Sequence, residues 1–321
     1  MATADPQLLD ARLRAAEIIL ASRYGRTLVE HRVTMSNGLV VRVVEYPAEP
    51  ERDAALPPIV LLHGIASVNA LALPLVSALP DRRILAVDWP GHGLSGPSVL
   101  PRGVDLRAHV VAVLDEVLAR FELAQVDLLG HSLGAQFALY FALRRRASVR
   151  RMVLLGEPGA AFSEARPVAA MRALSVPVLG TAILSLSISE TAYRARSERL
   201  IGRGGLDGYP DEITEIGYLA SQRHDFAPSV ASMFRALMTP VAARPLVALS
   251  HDELGTIGVP VLIVWGEHDV LLTPANGKAS FDAIPGAELL EISGGHLPWL
   301  NDLDRVAAAV SAFLTPPLPR D

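Results

Sequence analysis

Five short runs in this chain are mostly or wholly apolar: Ile59-Val60-Leu61-Leu62, Ile84-Leu85-Ala86-Val87, Val126-Asp127-Leu128-Leu129, Met152-Val153-Leu154-Leu155 and Val261-Leu262-Ile263-Val264. A strand with one wet face alternates apolar and polar residues. A short run without that alternation reads as a strand covered on both faces, as in a parallel sheet. Helical patterns separate most of the runs. Val104 to Phe121 places Val110, Val113, Leu114, Val117 and Leu118 on one face. Leu133 to Arg146 is apolar nearly all round, has small residues at Gly134, Ala135 and Ala138, and ends in cations. That suits a central helix lying close on a sheet, with its C-terminal dipole complemented by charge. The fold class expected is therefore α/β, a mostly parallel central sheet flanked by helices.

Upstream, Thr27 to Met35 and Leu39 to Tyr46 partly alternate and are rich in β-branched residues. Ser36-Asn37-Gly38 between them is a hairpin signal. A loop rich in Pro, Glu and Ala follows. Leu8, Leu9, Leu13, Ile18 and Ile19 fit an amphipathic helix at the N-terminus. After Leu155 the alternation stops for about 95 residues and resumes at Val261. It continues through a helix near Ala275 to Ile284, a strand Glu288 to Ile292 and a helix Asp302 to Leu314. An interruption inside a continuing sheet is most simply an inserted, mainly helical cap. The expected division is a core of residues 1–158 and 256–321 and a cap of residues 159–255. Ala173 to Ser189, uncharged but broken by Pro177 and Gly180, reads as a buried helix pair or the apolar roof of a pocket. The Pro-rich tail, Thr315 to Asp321, is expected to fray.

At 321 residues, half of them hydrophobic, the chain can bury a large core. A net charge of −5 with no long basic block gives no sign of nucleic-acid binding. No cysteine is present, so disulfides and thiolate metal sites are excluded. No signal-peptide layout and no membrane span are found in the sequence. The expectation is a cytoplasmic protein acting on a small-molecule substrate, without cofactor or metal. The sequence does not decide the oligomeric state.

In an open parallel sheet, ligands bind where strands end at their C-termini. The exits read His63-Gly64-Ile65-Ala66, Asp88-Trp89-Pro90-Gly91-His92-Gly93-Leu94-Ser95, Gly130-His131-Ser132-Leu133-Gly134, Gly266-Glu267-His268-Asp269 and Ser293-Gly294-Gly295-His296. Ser132, Asp269 and His296 thus appear at three exits, in the chain order of a nucleophile-elbow hydrolase. The serine needs a base to take its proton. The histidine needs a carboxylate to fix its tautomer and stabilise its charged form. The glycines of Gly130-x-Ser132-x-Gly134 suit a tight turn, which would aim the Leu133 N–H at an oxyanion.

With these motifs in this order, the chain resembles the α/β-hydrolase family over about Thr27 to Leu314, with a cap inserted after the sixth core strand. The resemblance implies catalytic roles for Ser132, Asp269 and His296, and an oxyanion hole from the N–H groups of Ile65 and Leu133. A serine at the elbow sets the chain apart from the dehalogenase and epoxide-hydrolase branches, where an aspartate stands there. Some relatives place the acid after the preceding strand, where Glu157 stands, and Glu267 is also near Asp269. His63, His92 and His131 are read as architectural, and His268 as a loop or surface residue. Gly91, Gly93 and Gly96 match a dinucleotide fingerprint by spacing, but Pro97 follows and no helix opens there.

The leading expectation is a serine hydrolase of small, largely apolar carboxylic esters, acting through an acyl-enzyme on Ser132. Carbon–carbon bond hydrolysis and lactone hydrolysis by the same three residues remain open. So does a small-molecule receptor on a hydrolase fold. Val176 to Ile188, Phe162, Tyr193, Tyr218, Phe226 and Phe234 are candidate pocket walls. Arg194, Arg196, Arg199 and Arg203 fit a polar helix facing solvent.

Overall fold

The structure is a computed structural model and describes residues 5–48, 56–202 and 204–315. The first described element is a helix because Asp5 accepts the Gln7 N–H at 2.9 Å and Pro6 occupies the first turn of α1 (Pro6–Arg23). The buried face of α1 is not the one that the apolar residues alone suggest. Leu9, Leu13, Ala16 and Leu20 face inward with Glu17, while Leu8, Ile18 and Ile19 are exposed. The rotation follows from Glu17, whose carboxylate reaches the buried Arg42 guanidinium.

The expected hairpin forms β1 (Val29–Thr34) and β2 (Val40–Tyr46), paired antiparallel. Asn37 Oδ1 accepts the Leu39 N–H at 3.0 Å in the turn. The core then runs through β3 (Ile59–Leu62), α2 (Leu73–Ser77), β4 (Ile84–Asp88), α3 (Leu106–Arg120), β5 (Val126–His131), α4 (Leu133–Arg144) and β6 (Val149–Leu155). Next come α5 (Ala169–Ser175), α6 (Leu179–Leu184), α7 (Glu190–Ile201), α8 (Glu212–Ser221), α9 (Phe226–Leu237) and α10 (His251–Gly255). The sheet resumes with β7 (Val261–Gly266), α11 (Lys278–Asp282), β8 (Glu288–Ile292), α12 (Pro298–Asn301) and α13 (Leu303–Leu314).

Strand order in the sheet is β1-β2-β4-β3-β5-β6-β7-β8, antiparallel at β1–β2 and β2–β4 and parallel from β4 onward. The apolar runs are apolar throughout because alternate side chains feed two cores. Val60, Leu62, Leu85 and Val87 join α3 and α4 on one face. Ile59, Leu61, Ile84 and Ala86 join α1, α2 and α13 on the other. Each of the Val, Leu and Ile side chains among these, fully buried, contributes about 1.5–3 kcal/mol relative to exposure.

The segment between β6 and β7 contributes no strand to the sheet, and its helices are embedded unevenly. Ile213, Ile216 and Leu219 of α8 enter the α1 side of the core, and Val230 and Phe234 of α9 enter the α4 side. By contrast, Ala173 to Ser189 is not a buried helix pair. Val178, Leu179, Ile183 and Leu186 are exposed, and of its residues Leu174, Ser175 and Gly180 are buried. The break at Val176 to Val178, where Pro177 stands, leaves α5 and α6 too short to seal an apolar face against the core. The Pro, Glu and Ala-rich loop after Tyr46 falls largely outside the described residues, as does the tail beyond Thr315. Among the described residues, no helix is long and apolar enough to cross a membrane.

Candidate active site

The turn from β5 into α4 carries Ser132 at φ +53°, ψ −117°, a left-handed conformation that few non-glycine residues adopt. Serine at a helix N-cap ordinarily caps with its hydroxyl. Here the hydroxyl makes no capping bond, because the twist aims the side chain away from the helix amides. The flanking glycines make room for the turn. A Cβ on Gly130 would stand 2.6 Å from Ala135 Cα, and one on Gly134 would stand 2.9 Å from the His63 carbonyl oxygen. Any side chain there would push α4 off β5 and β3. Among the described residues, the N–H groups of Ile65 and Leu133 are not used in turn, cap or side-chain hydrogen bonds. Both residues border the same cavity as Ser132.

Asp269, on the loop after β7, and His296, on the loop after β8, meet directly. His296 Nδ1 stands 2.8 Å from Asp269 Oδ2, and both side chains are buried. Asp269 also accepts the Leu271 N–H and the Glu157 N–H, each at 3.0 Å. Burial pushes its carboxyl upward, but the His296 charge and hydrogen bond and the two amides outweigh this and hold it below the usual range. An imidazole held this way through Nδ1 leaves Nε2 as the proton acceptor. The His296 ring lies 4.9 Å from that of His131, the residue before Ser132, so the serine and the Asp–His pair share one end of the sheet. Glu157 is brought alongside, but its backbone amide, not its carboxyl, addresses Asp269. Glu267 and His268 point into solvent.

Neutral histidines pin the loops around this site. His63 donates from Nδ1 to the Gly64 carbonyl at 2.7 Å and accepts the Trp89 N–H at Nε2 at 3.0 Å. His92 Nε2 accepts the Ala66 N–H at 3.1 Å. His131 Nε2–H donates to the His296 carbonyl at 3.1 Å. Burial drives all three downward, His92 to about 3 with a further push from His63. They therefore stay neutral and act as fixed donors and acceptors.

The glycine cluster after β4 wraps a carboxylate rather than a phosphate. A Cβ on Gly93 would strike the Asp88 carboxylate. Asp88 accepts from Arg42 Nη1 at 2.9 Å, Asn69 Nδ2 at 2.9 Å and the Leu94 N–H at 3.1 Å. Ser95 Oγ accepts the Arg42 N–H and donates to the Asp88 carbonyl. Spacing alone gave no sign of this cluster, nor of the anchoring of the histidine loop. The N–H groups of Gly295 and His296 donate to the Ile201 and Leu200 carbonyls at 3.0 and 2.8 Å. Those carbonyls end α7 and would otherwise lack partners.

The cavity at Ser132 is walled mainly by Ala160, Met171, Phe234, Leu237, Met238 and Leu271, with Gln136, Glu157 and Arg166 as its other polar residues. Of the candidate walls named from sequence, Phe234 is there. Val176 to Ile188 is not: Val178, Leu179, Ile183 and Leu186 are exposed, and Leu184 packs against the α4 side of the core instead. Phe162 packs on Trp265 in the core, Tyr193 on Tyr218, and Phe226 against His92. Arg194 pairs with Glu198 and Asp211, while Arg196 and Arg199 are exposed. Arg203 lies outside the described residues. Among the described residues, no three His, Asp or Glu side chains are placed to hold a metal ion.

A family model described as the alpha/beta hydrolase family matches residues 59–309. A 2-hydroxymuconate semialdehyde hydrolase from Pseudomonas sp. strain CF600 is 29% identical, over 80% of this chain and 86% of that protein. A pimeloyl-[acyl-carrier protein] methyl ester esterase from Stenotrophomonas maltophilia is also 29% identical, over 83% and 95%. Among solved structures, a carboxylesterase from Bacillus subtilis superposes with a TM-score of 0.72 at 21% identity, covering 95% of this chain and 98% of that one.

Proposed function

The chain belongs to the alpha/beta hydrolase family and is an enzyme of the hydrolase type, and on that premise we propose that it is a serine hydrolase of small, uncharged carboxylic esters. Ser132 attacks the ester carbonyl. His296 takes the hydroxyl proton through Nε2 and delivers it to the leaving alcohol, while Asp269 holds the imidazole and stabilises its charged form. The amides of Ile65 and Leu133 receive the oxyanion. Water then attacks the acyl-enzyme, with His296 again as base. Residues 159–255 act as a cap over residues 1–158 and 256–321.

The observation that carries this reading is the conjunction of a strained, uncapped Ser132 with the buried 2.8 Å pair of His296 and Asp269. The apolar wall supports an acyl group that gains roughly 0.8 kcal/mol per buried methylene, up to about fourfold per CH₂ in kcat/KM. The test is a kcat/KM series of p-nitrophenyl esters from acetate to decanoate, with a dicarboxylate half-ester and a vinylogous diketone as controls. The expected result is a rise with acyl length that stops where the cavity ends. Faster cleavage of the charged half-ester would contradict it.

A second reading, carbon–carbon bond hydrolysis with the same three residues, is supported by the likeness to the 2-hydroxymuconate semialdehyde hydrolase. Efficient diketone cleavage with negligible ester turnover would establish it in place of the first.

A further inference from the structure

Glu157 is the buried acid that the proposed mechanism leaves unused. It follows β6, is 3% exposed, and lines the cavity that also holds Ser132. Its place is fixed, because its own N–H is tied to Asp269 Oδ2. It cannot stand in for Asp269, since His296 Nδ1 is already taken by that residue.

The other polar wall groups are committed elsewhere. Gln136 Oε1 accepts the Ala160 N–H at 2.9 Å, and its Nε2 donates to the Tyr140 hydroxyl at 2.5 Å. Arg166 Nη1 donates to the Ser163 and Ala165 carbonyls. Among the described residues, no side chain hydrogen-bonds or ion-pairs with the Glu157 carboxyl. A carboxyl beside an ionised carboxylate, with no cation paired to it, cannot ionise readily as well. In its neutral form it offers one O–H donor to whatever enters the cavity.

We propose that Glu157 is a specificity-determining residue whose buried carboxyl donates a hydrogen bond to an acceptor oxygen on the acyl portion of the substrate. The preferred substrates are then short acyl esters bearing a keto oxygen along the chain, rather than bare alkyl esters. The inference rests on the reading of Ser132 as nucleophile and names the acyl class for that same site. Burial, and then the Asp269 charge, push the Glu157 carboxyl well above its usual range and favour the protonated donor form, while a hydrogen bond from the Gly159 N–H opposes them. The charged or titratable groups around it are Asp269, His296 and, on the cavity wall, Arg166. A site built around a buried donor discriminates against a ligand that leaves it unpaired.

The test compares phenyl 4-oxopentanoate and 5-oxohexanoate with phenyl pentanoate and hexanoate, as kcat/KM ratios of oxo to plain ester. The wild-type ratio should exceed unity for at least one pair. Glu157→Leu should lower it about 10- to 100-fold, the range of a lost hydrogen bond to an unmatched buried group. Glu157→Gln retains a donor and should keep most of the preference. With rising pH the wild-type ratio should fall as the carboxyl ionises, while the Glu157→Gln ratio stays flat. A ratio unaltered in both Glu157→Leu and Glu157→Ala, with melting curves showing folded protein, would overturn the proposal. Failure of the underlying reading looks different: Ser132→Ala would then still hydrolyse both kinds of ester.

Discussion

Two clusters of buried carboxyl groups in this molecule are neutralised in different ways. In the first, Glu17 of α1, Glu30 of β1 and Asp88 of β4 surround Arg42 of β2, and Arg14 adds a second guanidinium to Glu30. In the second, Asp269 and Glu157 have no guanidinium between them. Asp269 faces an imidazole, and burial with the Asp269 charge pushes the Glu157 carboxyl toward its neutral form. A guanidinium does not surrender a proton, so the first cluster can only hold strands and helix together. An imidazole does, so the second can move one. Burial alone therefore does not distinguish an architectural acid from a chemical one; the partner's proton affinity does.

The largest expected break in this contrast comes from Asp269→Asn. The amide can hold His296 in the wrong tautomer, and kcat on p-nitrophenyl butyrate should fall by about 10⁴ with the fold intact. Glu157→Gln should cost far less on the same substrate. The reverse ranking, with both proteins folded by circular dichroism, would move the orienting acid to Glu157.

Arg42→Met should do the opposite. It leaves Glu17 and Asp88 buried without their counter-charge and should cost about 3–5 kcal/mol in urea unfolding, without a matching loss of kcat in the folded protein. A large loss of kcat at unaltered stability would join the two clusters functionally. A smaller effect is expected from His131→Leu, which removes the donor to the His296 carbonyl. That should destabilise by about 1–3 kcal/mol and lower kcat as the histidine loop loosens. Unaltered melting and turnover would show that the bond positions nothing.

The smallest effect sharpens the charge assignment. The Glu157 carboxyl is raised in the folded chain above its ordinary value of 4.5. Its contribution to stability is therefore fully present below that value and is lost as pH rises toward and through the raised one. Glu157→Gln has no such loss, so its melting temperature should gain on wild type as pH rises from 4 to 8. A difference that stays constant over that range would mean the carboxyl titrates alike in the folded and unfolded chain, with no upward shift.

Much of the second cluster was legible in the sequence, and almost none of the first. Ser132, Asp269 and His296 each follow a short β run, and a parallel sheet gathers such exits whatever their separation along the chain. The elbow glycines are likewise a local steric demand, readable from Gly130 and Gly134. The Arg42 cluster joins residues 17, 30, 42 and 88, on elements whose relative rotation no periodicity specifies. That is why α1 turned Glu17 inward and left Ile18 and Ile19 outside. The exposed α6 was missed for a related reason. An apolar run states a preference for burial, but the break around Pro177 cuts this one into two helices too short to satisfy it. The Leu200 and Ile201 carbonyls that anchor the histidine loop carry no side-chain signal at all.

The proposed reaction stands on Ser132 as the nucleophile served by His296 and Asp269. Treatment with a fluorophosphonate, followed by peptide mass spectrometry, tests it most directly. One adduct is expected, on Ser132, with turnover abolished in step, and no adduct in a folded Ser132→Ala variant whose kcat has fallen by several orders of magnitude. An adduct on another serine with Ser132 unmodified, or a Ser132→Ala variant that retains turnover, would contradict it.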